Sequence, residues 1–213
     1  MLWDADDRSG FASTAGLLVV LLRVAAGLGM VAAVISTTSM FSRPIYESDI
    51  SRFLHFAQGA VVVYVAVVFF RWLATACLIA REVAADDFEF FPHGVVASFF
   101  IPFVNLVLPY RIIKLMCHVS RRACRRGIVE RDGITAIVPV HARRLDDDDD
   151  VVGFWWASML TMLASLFVVA ASTRSQIGPV VIIAADLAVF CAAFAAERLV
   201  RTITNAQLPA IAA

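Results

Sequence analysis

Long runs of apolar residues, separated by short polar stretches, dominate the pattern of this chain. Four runs are long enough to cross about 30 Å of hydrocarbon as helices, which takes about 20 residues. They cover residues 14–36, 54–80, 151–172 and 177–200. Polar and apolar residues do not alternate inside these runs as they do in the strands of a membrane barrel. Because backbone groups in lipid must be hydrogen-bonded internally, the pattern predicts four transmembrane helices.

A fifth apolar segment, residues 91–111, is interrupted in a way that a plain membrane span is not. Its sequence is FPHGVVASFFIPFVNLVLPYR, with Pro92, Pro102 and Pro109, and with Asn105 between the last two. Proline lacks a backbone donor and disfavours helical backbone in the residue before it. The segment therefore predicts a proline-broken helical element, re-entrant or interfacial, and a fifth span is the alternative. The predicted fold class is an all-α membrane protein.

The composition agrees with a membrane location. Apolar residues make up 61% of the chain and the mean hydropathy is +0.81, whereas soluble domains contain about 45–50% apolar residues. The N-terminus is acidic, and the apolar run after it is longer than the roughly 7–15 residues of a signal peptide. We therefore expect a single multi-pass domain over residues 1–213, with a retained first span.

The charges are segregated along the chain, although the formal net charge is zero. The polar region 114–150 contains the basic run RRACRR and ends in the aspartates 146–150. Arg and Lys in short loops prefer the cytoplasm. With four spans, this rule places both termini and region 114–150 in the cytoplasm. It leaves only Arg43, Arg52 and Arg174 on the other side. A five-span topology leaves almost the same excess of basic residues in the cytoplasm. The charge rule therefore predicts the side on which the basic region lies but not the number of spans.

The basic run also suggests a partner. Its arginines are Arg121, Arg122, Arg125 and Arg126. A basic cluster beside a membrane attracts anionic lipid by about 1 kcal/mol per residue. We therefore expect contact with the lipid bilayer, and with anionic lipid at these positions. A membrane-protein partner or a second copy of the chain is also open, whereas nothing in the pattern indicates nucleic acid.

Charged residues inside the spans need an explanation, since each costs about 2.5–3.5 kcal/mol at the centre of a membrane helix. Arg23 lies in the first span, and Asp186 and Glu197 lie on one face of the fourth. Arg23 either snorkels to the headgroups or pairs with Asp186. Asp186 is near the middle of its predicted span and its side chain is too short to snorkel. Together with Asn105, these residues form a candidate intramembrane polar site.

Tryptophans stand near the predicted inner ends of two spans. Trp72 follows Arg71 in the second span, and Trp155 and Trp156 begin the third. Tryptophan favours the boundary between the bilayer and water, so these positions predict interface anchors.

Catalytic and metal sites are not indicated. Cys117, His118, Cys124 and His141 share one region, but their spacing matches no usual zinc pattern. There is no nucleophile elbow, no phosphate-binding glycine loop and no HExxH motif. The sequence therefore predicts neither an enzyme nor a bound metal or cofactor.

A family resemblance rests on the segment FFIPFVNLVLPYR, with Pro102, Asn105, Pro109 and Tyr110, and on FWWA, with Trp155 and Trp156. The chain resembles the bacterial membrane family catalogued as domain of unknown function 4328. The order of the helices and the closing RTIT sequence with a later glutamine are similar as well. Met116 stands where members usually have tryptophan, and the linker before the third helix is long. The resemblance implies a bacterial integral membrane protein and no established activity.

Two function hypotheses remain open. The first is a structural or regulatory protein of the cell membrane that interacts with lipid or with a larger complex. The second is a small transporter or channel-like protein, in which Asp186, Arg23 and Asn105 line a polar route beside the broken segment. The absence of an internal inverted repeat in the sequence counts against the second hypothesis.

Overall fold

The computed structural model describes residues 5–41, 49–83, 88–101, 104–131, 146–172 and 178–212. These residues form six α-helices and one short 3-10 turn, with no strand among them. The helices are α1 (Ala5–Phe41), α2 (Asp49–Val83), α3 (Pro92–Ala97), α4 (Leu108–Arg131), α5 (Asp146–Ser172) and α6 (Gly178–Ala212). The predicted all-α fold class is confirmed.

Four of the described helices are long and apolar enough to cross a membrane, as predicted. The spans are Ser9–Thr38 on α1, Phe53–Val83 on α2, Asp150–Val168 on α5 and Val180–Leu208 on α6. Large apolar side chains on these helices face outwards, including Phe56 and Phe167, each 78% exposed. Apolar surface of this extent is suited to contact with lipid.

The interrupted segment is made of short helical pieces, which confirms the predicted broken element. Helix α3 has six residues, and the 3-10 turn Val104–Leu106 precedes α4. Pro92 and Pro109 stand in the first turns of α3 and α4, where a backbone N–H has no partner inside the helix. These two prolines therefore start helices rather than interrupt them. Pro102 lies outside the described residues.

The polar region 114–150 is helical at both of its ends. Helix α4 continues to Arg131, and α5 begins at Asp146. The aspartate run therefore forms the first turn of α5, where negative charge is favourable. Residues 132–145 lie outside the described part of the chain.

The chain forms two compact units. The first unit comprises residues 1–18, 68–153 and 198–213, and the second comprises residues 19–67 and 154–197.

The core of the first unit contains large side chains from five helices, α1, α2, α3, α4 and α6, and from the segment between α2 and α3. Its largest fully buried members include Trp72, Phe88, Ile112, Met116, Leu199 and Ile203. The ring of Phe99, from the interrupted segment, contacts the rings of Phe69 and Phe70 on α2, with centroids 6.5 and 5.2 Å away. The interrupted segment is therefore an integral part of this core.

The core of the second unit is rich in small side chains. Alanines at positions 25, 32 and 33 of α1 and at positions 185, 188, 192, 193, 195 and 196 of α6 are buried. Small residues let membrane helices approach closely. Gly29 shows how close this approach is, since a Cβ atom there would lie 3.0 Å from the backbone oxygen of Asp186.

Candidate functional site

The candidate intramembrane site centres on the Asp186 carboxylate in the second unit. Asp186 is only 4% exposed. The Ser36 hydroxyl of α1 donates to its Oδ2 at 3.2 Å, and the Gln58 side chain of α2 forms a further hydrogen bond with it. His55 Nε2, also on α2, lies 3.8 Å from Oδ2. Three helices therefore converge on one buried carboxylate, and we call these four residues the Asp186 cluster.

The sequence pattern placed Asp186 near the middle of its span, but the structure places it near one end. It lies in the second turn after Val180, where its span begins. Ser36 lies near the end of the α1 span and His55 near the start of the α2 span. The predicted fourth span ended at residue 200, whereas the helical apolar stretch continues to Leu208. This extension moves the centre of the span away from Asp186.

Arg23 and Glu197 form a separate ion pair in the second unit. The Nε and Nη2 atoms of Arg23 donate to Glu197 Oε1 at 3.1 and 2.9 Å. The Arg23 side chain is 62% exposed and that of Glu197 is 14% exposed. The predicted pairing of Arg23 with Asp186 is therefore wrong. Arg23 pairs instead with Glu197, the other carboxylate of α6. Arg23 lies at the middle of the span Ser9–Thr38, so a charged partner offsets its cost there.

Three residues of the Asp186 cluster were not identified from the sequence. Ser36, His55 and Gln58 are polar positions in otherwise apolar runs. His55 and Gln58 are three positions apart, which places them on one face of a helix. This spacing could have identified His55 and Gln58 as a polar pair, once it is recognised that the buried Asp186 carboxylate needs hydrogen-bond donors.

Asn105 belongs to the first unit, whereas Arg23, Asp186 and Glu197 belong to the second. Its backbone N–H donates to the Ile101 carbonyl at 2.9 Å. Its side-chain Oδ1 is buried and accepts no hydrogen bond among the described residues.

Metal ligands do not converge within the described part of the chain, where no three His, Cys, Asp or Glu side chains form a group that would hold an ion. His141 and the side chain of Cys124 lie outside that part. Cys77 and Cys117 are buried.

The sequence profile of one protein family, described as a domain of unknown function (DUF4328), matches residues 45–205. The chain belongs to the DUF4328 family. The match includes the interrupted segment on which the resemblance rests, so the predicted membership is confirmed. No curated protein and no solved structure matches the chain. DUF4328 membership assigns no activity, so any role must come from the geometry.

The proline motif of the DUF4328 segment leads directly into α4. Pro109 is buried in the first turn of that helix, and Tyr110 is half-buried beside it. The Lys114 ammonium lies 6.0 Å from the centroid of the Tyr110 ring. The motif therefore includes the start of a helix packed in the first unit.

The tryptophans lie in the protein core rather than at exposed anchor positions. Trp155 and Trp156 are buried, with their ring centroids 5.6 Å apart. Trp72 is fully buried, and its indole N–H donates to the Thr204 hydroxyl at 3.3 Å. A buried indole needs such a partner for its N–H. The prediction of interface anchors is therefore wrong for these residues.

Proposed function

We propose that the chain is a structural or interaction protein of the bacterial cell membrane that contacts anionic lipid through helix α4. The observation that carries this proposal is that α4 has two opposite faces. One face is packed in the first unit, and the other carries basic side chains.

The packed face fixes the rotation of α4. Ile112, Ile113 and Met116 are fully buried. Gln207 of α6, itself 1% exposed, donates from Nε2 to the Ser120 hydroxyl at 3.0 Å and to the Ala76 carbonyl of α2 at 2.9 Å. These bonds tie α2, α4 and α6 together, so α4 cannot turn without breaking buried contacts.

The basic face lies on the opposite side. Arg111 and Arg122 are exposed, and Lys114 and Arg121 are half-buried. Because a helix turns 100° per residue, positions 111, 114, 121 and 122 fall on one side of α4, roughly opposite the packed residues.

The predicted orientation supports this use of the basic face. The excess of Arg and Lys in region 114–150 favours the cytoplasm, where the leaflet surface is anionic. Arg125 and Arg126 follow in the same helix.

The segment before α4 supports the same contact from the apolar side. Phe100, Ile101, Leu106 and Val107 are exposed large apolar residues. An apolar patch next to a basic helix face is typical of elements that lie at the boundary between acyl chains and headgroups.

The lipid contact is tested by neutralising the exposed basic face in the triple variant Arg111→Gln, Lys114→Gln and Arg122→Gln. Purified full-length protein is placed in nanodiscs that contain phosphatidylglycerol and phosphatidylcholine, and the lipids retained on release into detergent are counted by native mass spectrometry. At about 1 kcal/mol for each charge, the variant should bind phosphatidylglycerol up to roughly a hundredfold more weakly.

A matched control removes three arginines from the opposite side of the predicted topology: Arg43→Gln, Arg52→Gln and Arg174→Gln. This control should retain phosphatidylglycerol as the unmodified chain does. Equal loss in both triple variants, or no loss in either, would contradict a specific role of α4.

A second candidate function, a small transporter, is favoured by the buried Asp186 carboxylate, because an intramembrane carboxylate is typical of ion and proton routes. Proton- or ion-coupled flux into vesicles that Asp186→Asn abolishes without loss of folded protein would establish it. Unchanged flux would exclude it.

A further inference from the structure

The negative charges of Asp186 and Glu197, the two carboxylates of α6, face different kinds of neighbouring group. Glu197 contacts the guanidinium of Arg23, which keeps its proton in proteins under all ordinary conditions. Asp186 contacts a hydroxyl, an amide and an imidazole. The first two groups are neutral, and the imidazole is cationic only when it is protonated.

The charge of the Asp186 cluster therefore depends on how many protons it holds. With one proton on either Asp186 or His55, the pair is neutral overall. Loss of that proton leaves a net negative charge, and a second proton leaves a net positive charge. Both states are costly because Asp186 is almost completely buried.

We propose that Asp186 and His55 form a proton-binding site whose single proton resides either on Oδ2 of Asp186 or on Nε2 of His55, two atoms that lie 3.8 Å apart. The proton exchanges between the site and water, and no other bond is made or broken. Ser36 and Gln58 hold the carboxylate in place for either position of the proton. The site is independent of the lipid contact of α4.

Other charged groups on the neighbouring helices are few. On α1, the span Ser9–Thr38 has Arg23, which is bound to Glu197 of α6. On α2, Asp49 and Arg52 precede His55, and on α5 no charged residue occurs from 151 to 168. Among the side chains that the structure describes on these helices, Asp186 and His55 are the titratable groups that meet in this cluster, and the side chains of Asp49 and Arg52 lie outside the described part.

The test uses N,N′-dicyclohexylcarbodiimide, which adds to protonated carboxyl groups in apolar surroundings. The purified full-length protein is labelled in detergent at a series of pH values between about 5 and 8, where an unperturbed imidazole changes charge. Mass spectrometry of peptides then measures labelling at Asp186. Labelling should fall as the pH rises, and Glu197, which is paired with Arg23, is the internal comparison.

Replacing His55 distinguishes a site made of two coupled proton-binding groups from an Asp186 carboxyl group that binds its proton alone. In His55→Gln, the dependence of Asp186 labelling on pH should differ measurably from that of the unmodified chain, because the second proton-binding group is gone. His93→Gln removes an exposed imidazole of the first unit, outside the Asp186 cluster, and should leave the position of the curve unchanged. A thermal melt checks that each variant is folded.

Two results would overturn the proposal: labelling of Asp186 that does not change with pH, or a His55→Gln curve that coincides with that of the unmodified chain. Retention of phosphatidylglycerol should be the same in His55→Gln, so failure of this site and failure of the lipid contact are seen separately.

Discussion

At the scale of single residues, the second unit places two acidic side chains of one helix in different surroundings. Asp186 is buried among hydrogen-bond donors from α1 and α2, and Glu197 is paired with the exposed Arg23. A charge in lipid needs a group that stabilises it. Neutral hydrogen-bonding groups surround Asp186, whereas a permanent cation, Arg23, pairs with Glu197. The first arrangement is suited to a change of protonation state, whereas the second is suited to holding two helices together.

The Arg23–Glu197 pair is testable by a double-mutant cycle. Arg23→Leu leaves the Glu197 carboxylate without its cation, so the free energy of unfolding in mixed micelles should fall by about 2–3 kcal/mol. The double variant Arg23→Leu/Glu197→Leu should recover most of this loss, which gives a coupling energy of about 1–3 kcal/mol. Arg71→Leu, at an exposed position of α2, should change stability by no more than about 0.5 kcal/mol. Strictly additive effects of the two substitutions would show that the pair does not contribute.

The sequence identified Arg23, Asp186 and Glu197 but not their partners. The spacing of residues along α6 determines which of its side chains share a face. Which of them meets Arg23 depends on the rotation and axial position of α1 against α6, and no local pattern encodes these. His55 and Gln58 were missed for the same reason, since their importance comes from the carboxylate that they contact.

At the scale of helices, the packing of α1 against α6 depends on a close approach at Gly29. A Cβ atom at this position would lie 3.0 Å from the Asp186 carbonyl oxygen and 3.3 Å from the Phe190 backbone nitrogen. Both neighbours are backbone atoms, which cannot move aside as the end of a flexible side chain does. The close approach also brings the Asp186 cluster together, since Asp186 and Ser36 lie on the same two helices.

Gly29→Ala should therefore lower the free energy of unfolding by about 1–3 kcal/mol, because an added methyl group overpacks the interface. Gly27→Ala is a matched control on the same helix, where a Cβ atom would meet nothing within 4 Å. This control should be neutral or stabilising by up to about 1 kcal/mol, as expected for glycine replaced by alanine in a helix. Thermal unfolding in detergent compares the two variants, and equal melting temperatures would contradict the close packing.

Helix α4 shows where a pattern based on hydropathy fails. Its mean hydropathy is too low for a span, so region 114–150 was recognised by its charges alone. Buried residues at 112, 113, 116, 119 and 120 nevertheless recur at helical spacing. The prolines of the interrupted segment were recognised as breaks in a span. Their second role, at the starts of α3 and α4, depends on where each helix begins.

At the scale of the whole molecule, the all-α fold class and the four long apolar helices follow from the sequence, because lipid restricts the backbone to few structures. Four long apolar helices and an interrupted segment were predicted and are found. The division into two compact units was not predicted, since it depends on contacts between residues far apart in the chain. The family match is consistent with the fold and adds no activity.

The central prediction is that the interrupted segment 91–111 does not cross the membrane, with a fifth span as the alternative. Its most direct test places single cysteines at Asp87, Asp132 and Arg174 in a chain whose native cysteines are replaced by serine. An impermeant thiol reagent is then applied to intact cells and to lysed cells. With four spans and cytoplasmic termini, positions 87 and 132 should react only after lysis, whereas position 174 should react in intact cells. Reaction at position 87 in intact cells, with position 132 protected, would contradict the account and establish a fifth span.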